Sequence, residues 1–161
     1  DRFIGTGLGF FLLITSLTGI LLGWKKNVEI LQPPEQKGTT TELNQWVSIE
    51  MLASSASYAL DSVVGRTIAI DKLDVRPGKG IIKVLFKEGY WEVQVDGATG
   101  KSLSVMQRHS DWIEHLHDGS IINDFFKIAY TNLLGWGLLI LGLSGFWLWY
   151  GPKMVKKMKV N

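Results

Sequence analysis

The segment from Ala129 to Tyr150, AYTNLLGWGLLILGLSGFWLWY, runs for about 22 residues without a charged side chain. A helix needs about 20 apolar residues to cross the hydrocarbon core of a membrane. A buried core helix is the alternative, but a domain of about 100 residues rarely contains a helix that is apolar on every side. We therefore predict a membrane-spanning helix at residues 129–150.

A second charge-free run, FIGTGLGFFLLITSLTGILLGW, extends from Phe3 to Trp24 at the other end of the chain. It is too long for the apolar core of a signal peptide, and no small-x-small cleavage site follows Trp24. Residues 1–24 are therefore predicted to form the other transmembrane helix. Neither run contains a charged residue that would indicate an ion or proton path.

The basic tail at residues 151–161, GPKMVKKMKVN, predicts the orientation of the chain. Lysine-rich flanks stay in the cytoplasm, so both termini are expected there and the central region is expected in the periplasm of a bacterium. Lys25 and Lys26 argue weakly against this, because they follow the first helix on the opposite side. The sequence begins at Asp1 rather than at a methionine, so we expect further residues before it.

Composition excludes several classes of function. The 161 residues include no cysteine, which excludes disulfides, thiolate metal sites and a cysteine nucleophile. No serine lies in a Gly-x-Ser-x-Gly turn, and no other nucleophile pattern stands out, so the chain is not predicted to be an enzyme. Basic residues do not alternate with aromatic ones in the central region, so nucleic acid is not an expected partner.

Small residues follow one face of each predicted membrane helix. At about 100° per residue they group into a narrow stripe on each helix, and the two stripes are Gly5, Gly9, Ser16, Gly19 and Gly23, then Gly135, Gly142 and Gly145. Small residues let helices approach closely in lipid. Either the two helices pack on each other, or a stripe binds another membrane subunit; the lipid bilayer is the remaining partner.

The central region begins with a predicted linker at residues 25–41, which ends in QPPEQKGTTT. Thr41 is the predicted N-cap of a helix from Glu42 to about Leu60, ended by Val63, Val64 and Gly65. The apolar face of this helix is expected to hold Leu43, Trp46, Val47, Glu50, Met51 and Ser54.

Beyond Gly65 the apolar residues alternate with polar ones, which is typical of strands. Four antiparallel strands are predicted at residues 68–73, 81–87, 90–95 and 102–106, with turns at RPGKG, at Glu88-Gly89 and at DGATG. Residues 42–108 are thus expected to form a two-layer α+β domain. One face of the sheet should cover the helix, and the other should face water.

All three histidines lie in HSDWIEHLHDGS, within a predicted interfacial elbow at residues 109–128. A helix is expected at residues 111–118, with a capping box of Asp111 and Glu114, and with Gly119 ending it. His115 and His117 are two residues apart and so point in different directions, which argues against a shared metal ion. The segment is predicted to lie on the membrane surface, with Trp112 and Leu116 toward lipid or the sheet.

A haem ligand is the alternative for this elbow. His109 or His117 could each supply one axial ligand if another chain supplied the second, and no metal site is predicted.

Several motifs, taken in order, resemble the PepSY-associated transmembrane family. YWEVQVDGATGKSL is similar to the PepSY pattern of a strand followed by an Asp-x-x-Thr-Gly turn, with Asp96, Thr99 and Gly100 in the matching places. The opening helix matches that family's first helix at Arg2, Gly5, Thr18 and Gly19. The segment HLHDGS before a glycine- and tryptophan-rich helix resembles its return into the membrane. The resemblance spans nearly the whole chain.

The resemblance implies a protein associated with iron uptake, with ferric siderophore reduction or with respiratory electron transfer. Larger members hold haem b through histidines, and PepSY modules are also linked to peptidase inhibition. Here Asp1 stands where the family pattern has a histidine. The first hypothesis is therefore an accessory subunit of a membrane complex, which would contact its partners through the glycine stripes and the Asp96–Gly100 turn. The alternatives are a haem-binding component of a ferric reductase and a regulator of periplasmic peptidases.

Overall fold

The computed structural model describes residues 2–158, in two compact units. One unit contains residues up to Leu21 and those from Ile113 onward, and the other contains residues 22–112. The elements in chain order are α1 (Arg2–Trp24), α2 (Ile49–Val64), β1 (Ile70–Arg76), β2 (Ile81–Phe86), β3 (Trp91–Asp96), β4 (Ser102–Gln107), α3 (His109–Asp118) and α4 (Asp124–Met158). Short 3₁₀ turns lie at Leu43–Gln45 and Pro77–Lys79.

The four strands form one antiparallel sheet in the order β1-β2-β3-β4, as predicted. Val84 pairs with Val93 across β2 and β3, and Val93 pairs with Val105 across β3 and β4. Gly89 and Tyr90 turn the chain between β2 and β3 with φ angles of 72° and 55°. The predicted α+β fold is confirmed. It could be predicted because alternation along the strands and glycine at the turns are local signals.

The predicted start of α2 was wrong. The helix begins after Ser48, whose hydroxyl accepts a hydrogen bond from the Met51 backbone N–H at 3.2 Å. Thr41 is therefore not the N-cap, and the chain between Gln45 and Ser48 is extended at Trp46. Gly65 ends the helix in the left-handed region at φ 73°, as predicted.

The buried face of α2 also differs from the predicted one. It presents Leu52, Ala56 and Leu60, which lie four residues apart and are fully buried. They pack on one face of the sheet against Ile82, Val84, Phe86, Val93 and Val95. The predicted face was offset because the helical periodicity was counted through residues 42–48, which are not α-helical.

The second face of the sheet is buried, although the sequence predicted that it faces water. Its polar side chains on β2 and β3 are at most 4% exposed, and they are Lys83, Glu92, Gln94 and Asp96. Part of the predicted linker lies on this face: the Gln36 N–H donates to Gln94 Oε1 at 2.8 Å, and the Gln94 amide donates to the Pro34 carbonyl at 3.1 Å. The linker and neighbouring side chains supply partners for these buried polar groups. Glu92 Oε2 has an ion pair with Arg108 but no hydrogen bond.

One described helix is long and apolar enough to cross a membrane, namely Asp124–Gly151 within α4. The described part of α1 contributes a shorter apolar helix, Gly9–Trp24. Residues 138–150 are all exposed within the chain, which suits a surface that meets lipid or other helices.

Candidate functional site

The elbow helix α3 begins at His109, two residues earlier than predicted. Asp111 therefore lies in its first turn and not at its N-cap, and its carboxylate pairs with Arg108 at 3.2 Å. The predicted capping box was thus misplaced. Gly119 ends the helix at φ 77°, as expected, and a Cβ there would come within 2.9 Å of the Tyr130 ring.

His115 and His117 contact different hydroxyl groups. His117 Nδ1 lies 2.9 Å from Thr18 Oγ1 on α1, whereas His115 Nδ1 lies 2.6 Å from Ser120 Oγ. The two-residue spacing separates the rings, as predicted, and His109 is exposed. Within residues 2–158 no three His, Asp or Glu side chains come together in a way that could hold a metal ion.

The Thr18 hydroxyl has two backbone acceptors on its own helix, the Ile14 carbonyl at 2.7 Å and the Thr15 carbonyl at 3.1 Å. When it donates its single proton to one of these, its oxygen accepts from His117 Nδ1–H. A neutral His117 then has an unprotonated Nε2, which is the form that accepts a hydrogen bond or binds a metal. Thr18 is a positioning residue for this ring, since the contact with Nδ1 orients it.

Gly19 lets the His117 ring lie against α1. A Cβ at Gly19 would be 3.3 Å from His117 Cε1, a closer approach than most Cβ atoms make. Sequence analysis assigned Gly19 to a helix-packing stripe, and its neighbour in this unit is an imidazole ring. Thr18 and Gly19 together therefore form the contact surface for the His117 ring on α1.

A second polar contact joins α1 to the beginning of α4. The Tyr130 hydroxyl lies 2.6 Å from Thr15 Oγ1, and the Tyr130 side chain is 7% exposed. Phe11 packs edge-on against the Tyr130 ring, with centroids 5.6 Å apart. Sequence analysis missed Thr15 and Tyr130, although a hydroxyl within an otherwise apolar helix is a signal that favours such interhelical bonds.

An ion pair links the end of α3 to α4. Lys127 Nζ lies 2.7 Å from Asp118 Oδ2, and the Ser120 N–H donates to Asp118 Oδ1 at 2.9 Å. Burial raises the pKa of Asp118, but the hydrogen bonds from Lys127 and Ser120 outweigh it and lower that pKa to about 2. Asp118 is therefore ionised at neutral pH and holds the turn between the two helices.

Most of the predicted glycine stripe is open. Nothing lies within 4 Å of a Cβ built at five of its glycines, which are Gly9, Gly23, Gly135, Gly142 and Gly145. Ser16 is exposed and donates to the Leu12 carbonyl of its own helix. The surroundings of Gly5 and the side chains of Lys153, Lys156 and Lys157 lie outside what the structure describes, as do Asp1 and Lys159 altogether.

The buried polar face of the sheet contains an ion-pair network. Glu92 is fully buried and lies between Lys83, at 3.9 Å, and Arg108, at 3.5 Å. Lys83 also pairs with Glu35 at 3.2 Å. Burial raises the pKa of Glu92, and the two cations only partly oppose that rise.

The DGATG turn holds the predicted linker on the sheet. The Asp96 carboxylate accepts hydrogen bonds from the backbone and hydroxyl of Thr39, from the Ala98 N–H at 3.1 Å and from the Thr99 hydroxyl at 3.0 Å. Although burial raises the pKa of Asp96, these bonds lower it overall. Asp96 of the Asp-x-x-Thr-Gly motif thus forms hydrogen bonds with residues of its own chain, while Thr99 is exposed.

Comparison with known proteins agrees with the motifs. The family described as the PepSY-associated TM region matches residues 2–159, which is nearly the whole chain. No curated protein matches the chain.

Proposed function

Since the chain belongs to the PepSY-associated TM region family, a group of membrane proteins, we propose that it is a non-enzymatic accessory subunit of a larger membrane complex. In this proposal α1 and α4 both span the bacterial inner membrane. Both termini lie in the cytoplasm, which agrees with the lysine-rich tail, and the outer domain faces the periplasm.

The open glycine face of α4 carries the proposal. Gly135, Gly142 and Gly145 have no neighbour where a side chain would be, so a transmembrane helix of another subunit can approach the α4 backbone closely there. A groove of about 380 Å³ beside Gly135 is lined by Thr131, Asn132, Trp136 and Leu139. Asn132 donates to the Ile128 carbonyl, and its amide oxygen is left to accept a bond from a partner helix.

Replacing Gly142 with leucine is expected to release the partner subunit, because four added carbon atoms keep the two backbones apart. The measurement is quantitative mass spectrometry of membrane chains that copurify with the tagged protein in mild detergent. We expect at least a tenfold loss of one specific chain relative to the unchanged protein.

Ser144→Leu is the matched control for that experiment. Ser144 lies about 160° around the helix from Gly142, so a leucine at this position places its side chain on another face. The partner should remain bound to this variant. If both variants keep the same copurifying chains, or if only a second copy of this chain is found, the accessory-subunit proposal is wrong.

A haem-binding role is the second candidate, and the His117 tautomer favours it. Nδ1 is held by Thr18, so Nε2 is the nitrogen that could ligate iron. The described residues place no second histidine beside His117, so the chain fits haem b only if a partner supplies the other ligand. Its link to iron uptake or electron transfer rests on the family resemblance.

The absorption spectrum of the copurified complex tests this second candidate. If His117 is a ligand, His117→Ala should abolish the Soret band, whereas His115→Ala should keep it because His115 bonds Ser120 instead. A complex without a Soret band, or one whose band survives His117→Ala, would exclude haem ligation by this residue.

A further inference from the structure

We propose that the outer domain binds a phosphate group in a cavity between the Pro33-Pro34 segment and the sheet. The cavity has a volume of about 270 Å³. Its walls come from residues 26–35 and from strands β1 and β2, all within one compact unit. The lining residues are Lys26, Gln32, Pro33, Pro34, Glu35, Arg76 and Lys83.

Cations outnumber carboxylates in this lining. Three side chains, Lys26, Arg76 and Lys83, are cationic, and Glu35 is the one acid among the lining residues. The two oxygens of Glu35 are shared between Lys83, at 3.2 Å, and Lys79, at 3.8 Å. Glu35 therefore offsets part of the charge of these two lysines. Arg76 is paired with Asp74, and Lys83 also lies 3.9 Å from Glu92, so both cations are partly neutralised.

The cations still have donors for a ligand. No ion pair to Lys26 is present in the part of the chain that the structure describes, and its side chain is exposed. Arg76 uses Nε and Nη2 on Asp74, at 3.0 and 2.8 Å, so the Nη1 donors remain for a ligand. Lys83 Nζ carries three protons on a side chain that is only 4% exposed.

A phosphate group suits this donor set better than a carboxylate. Its several oxygens can accept from two ammonium groups and from Nη1 of one guanidinium at once. The side-chain amide oxygen of Gln32, Oε1, is buried and has no hydrogen-bond partner among the described residues. A protonated phosphate oxygen would supply the missing donor.

The cavity wall is already in place without a ligand. Gln94 holds the backbone of this segment at Pro34 and Gln36, and two successive prolines restrict its φ angles. A preformed site loses less conformational entropy when it binds, which favours a specific ligand over loose counterions.

Two sources of phosphate are compatible with the position of the cavity. Lys26 follows the end of α1 by two residues, so a phospholipid headgroup is within reach if α1 spans the membrane as proposed above. Inorganic phosphate from the surrounding solution has the same chemistry. The experiment below includes one arm for each source.

Isothermal titration of the full chain with inorganic phosphate, in an uncharged detergent, tests the site. We expect saturable binding that Lys26→Gln and Arg76→Gln each weaken at least about tenfold, since each removes one charge-assisted bond. Both side chains are largely exposed, so these variants should fold. Lys72→Gln, an exposed lysine on β1 that does not line the cavity, should bind as the unchanged protein does.

Repeating the titration in phosphatidylglycerol nanodiscs identifies the source. A tenfold or larger loss of apparent phosphate affinity in the nanodiscs indicates that lipid headgroups occupy the site, and unchanged affinity indicates free phosphate. The proposal is overturned if phosphate does not bind saturably, if Lys26→Gln and Arg76→Gln bind it normally, or if acetate binds equally well.

Discussion

Replacing Gly38 with alanine is expected to lower the free energy of unfolding of the α+β domain by about 3 kcal/mol. An added Cβ would lie 1.9 Å from the Gly80 carbonyl oxygen and 2.6 Å from its carbon. Gly80 cannot move away easily, because its N–H donates to Pro77 and its oxygen accepts from Gly97. The substitution should also break the Gly38 N–H bond to Lys79, now 2.8 Å, and so detach residues 34–40 from the sheet.

Hydrogen exchange of the β2 and β3 amides in the detergent-purified full chain measures this effect. A loss of about 3 kcal/mol corresponds to roughly a hundredfold faster exchange through global opening. Gly78→Ala is the matched control: it adds the same methyl group nearby, nothing lies within 4 Å of its Cβ, and its exchange should stay near that of the unchanged protein. Equal exchange in both variants would show that the segment around Gly38 does not hold the sheet.

The parts of the fold that sequence predicted correctly depend on local signals. Strands β2, β3 and β4 start within one residue of their predicted positions, since alternation and turn glycines act over a few residues. Gly65 and Gly119 ended helices as expected for the same reason. The start of α2 was missed because several residues between Thr41 and Ser48 are reasonable caps, and tertiary packing chooses among them.

The buried polar face could not be predicted from sequence because its cause is nonlocal. Lys83, Glu92 and Gln94 alternate with apolar residues as they would on a solvated face. Lys83 is buried with Glu35 as a partner, and Gln94 is buried with Pro34, which lies 60 residues away along the chain. Glu92 is partnered by Lys83 and Gln94 on the sheet and by Arg108. The contact between His117 and Thr18 could not be predicted for the same reason, since the two residues are 99 positions apart in the sequence.

Replacing Lys83 with methionine is expected to lower the free energy of unfolding of the α+β domain by about 3–5 kcal/mol at pH 7, as when one partner of a buried ion pair is removed. Methionine preserves much of the side-chain volume but leaves the Glu92 carboxylate, which is 0% exposed, with Arg108 as its one remaining cation in the described structure and with the hydrogen bond from the Gln94 amide. Denaturant unfolding of the full chain, monitored by hydrogen exchange of the β2 and β3 amides, measures the change in the free energy of unfolding. Lys72→Met makes the same substitution at an exposed position of β1 and should change stability by less than about 0.5 kcal/mol.

The pH dependence of Lys83→Met separates loss of charge pairing from loss of packing. Burial already raises the pKa of Glu92, and Lys83 opposes that rise, so the variant should raise this pKa further. An acid whose pKa is higher in the folded state than in the unfolded state contributes its full stabilisation below the unfolded-state pKa. That contribution is lost as the pH rises through the folded-state pKa. The stability gap between the variant and the unchanged protein should therefore narrow as the pH falls from 7 toward 4.5, the ordinary glutamate value. A gap that stays constant with pH would mean that Lys83 acts by packing, and Glu92→Leu added to Lys83→Met would then fail to restore stability.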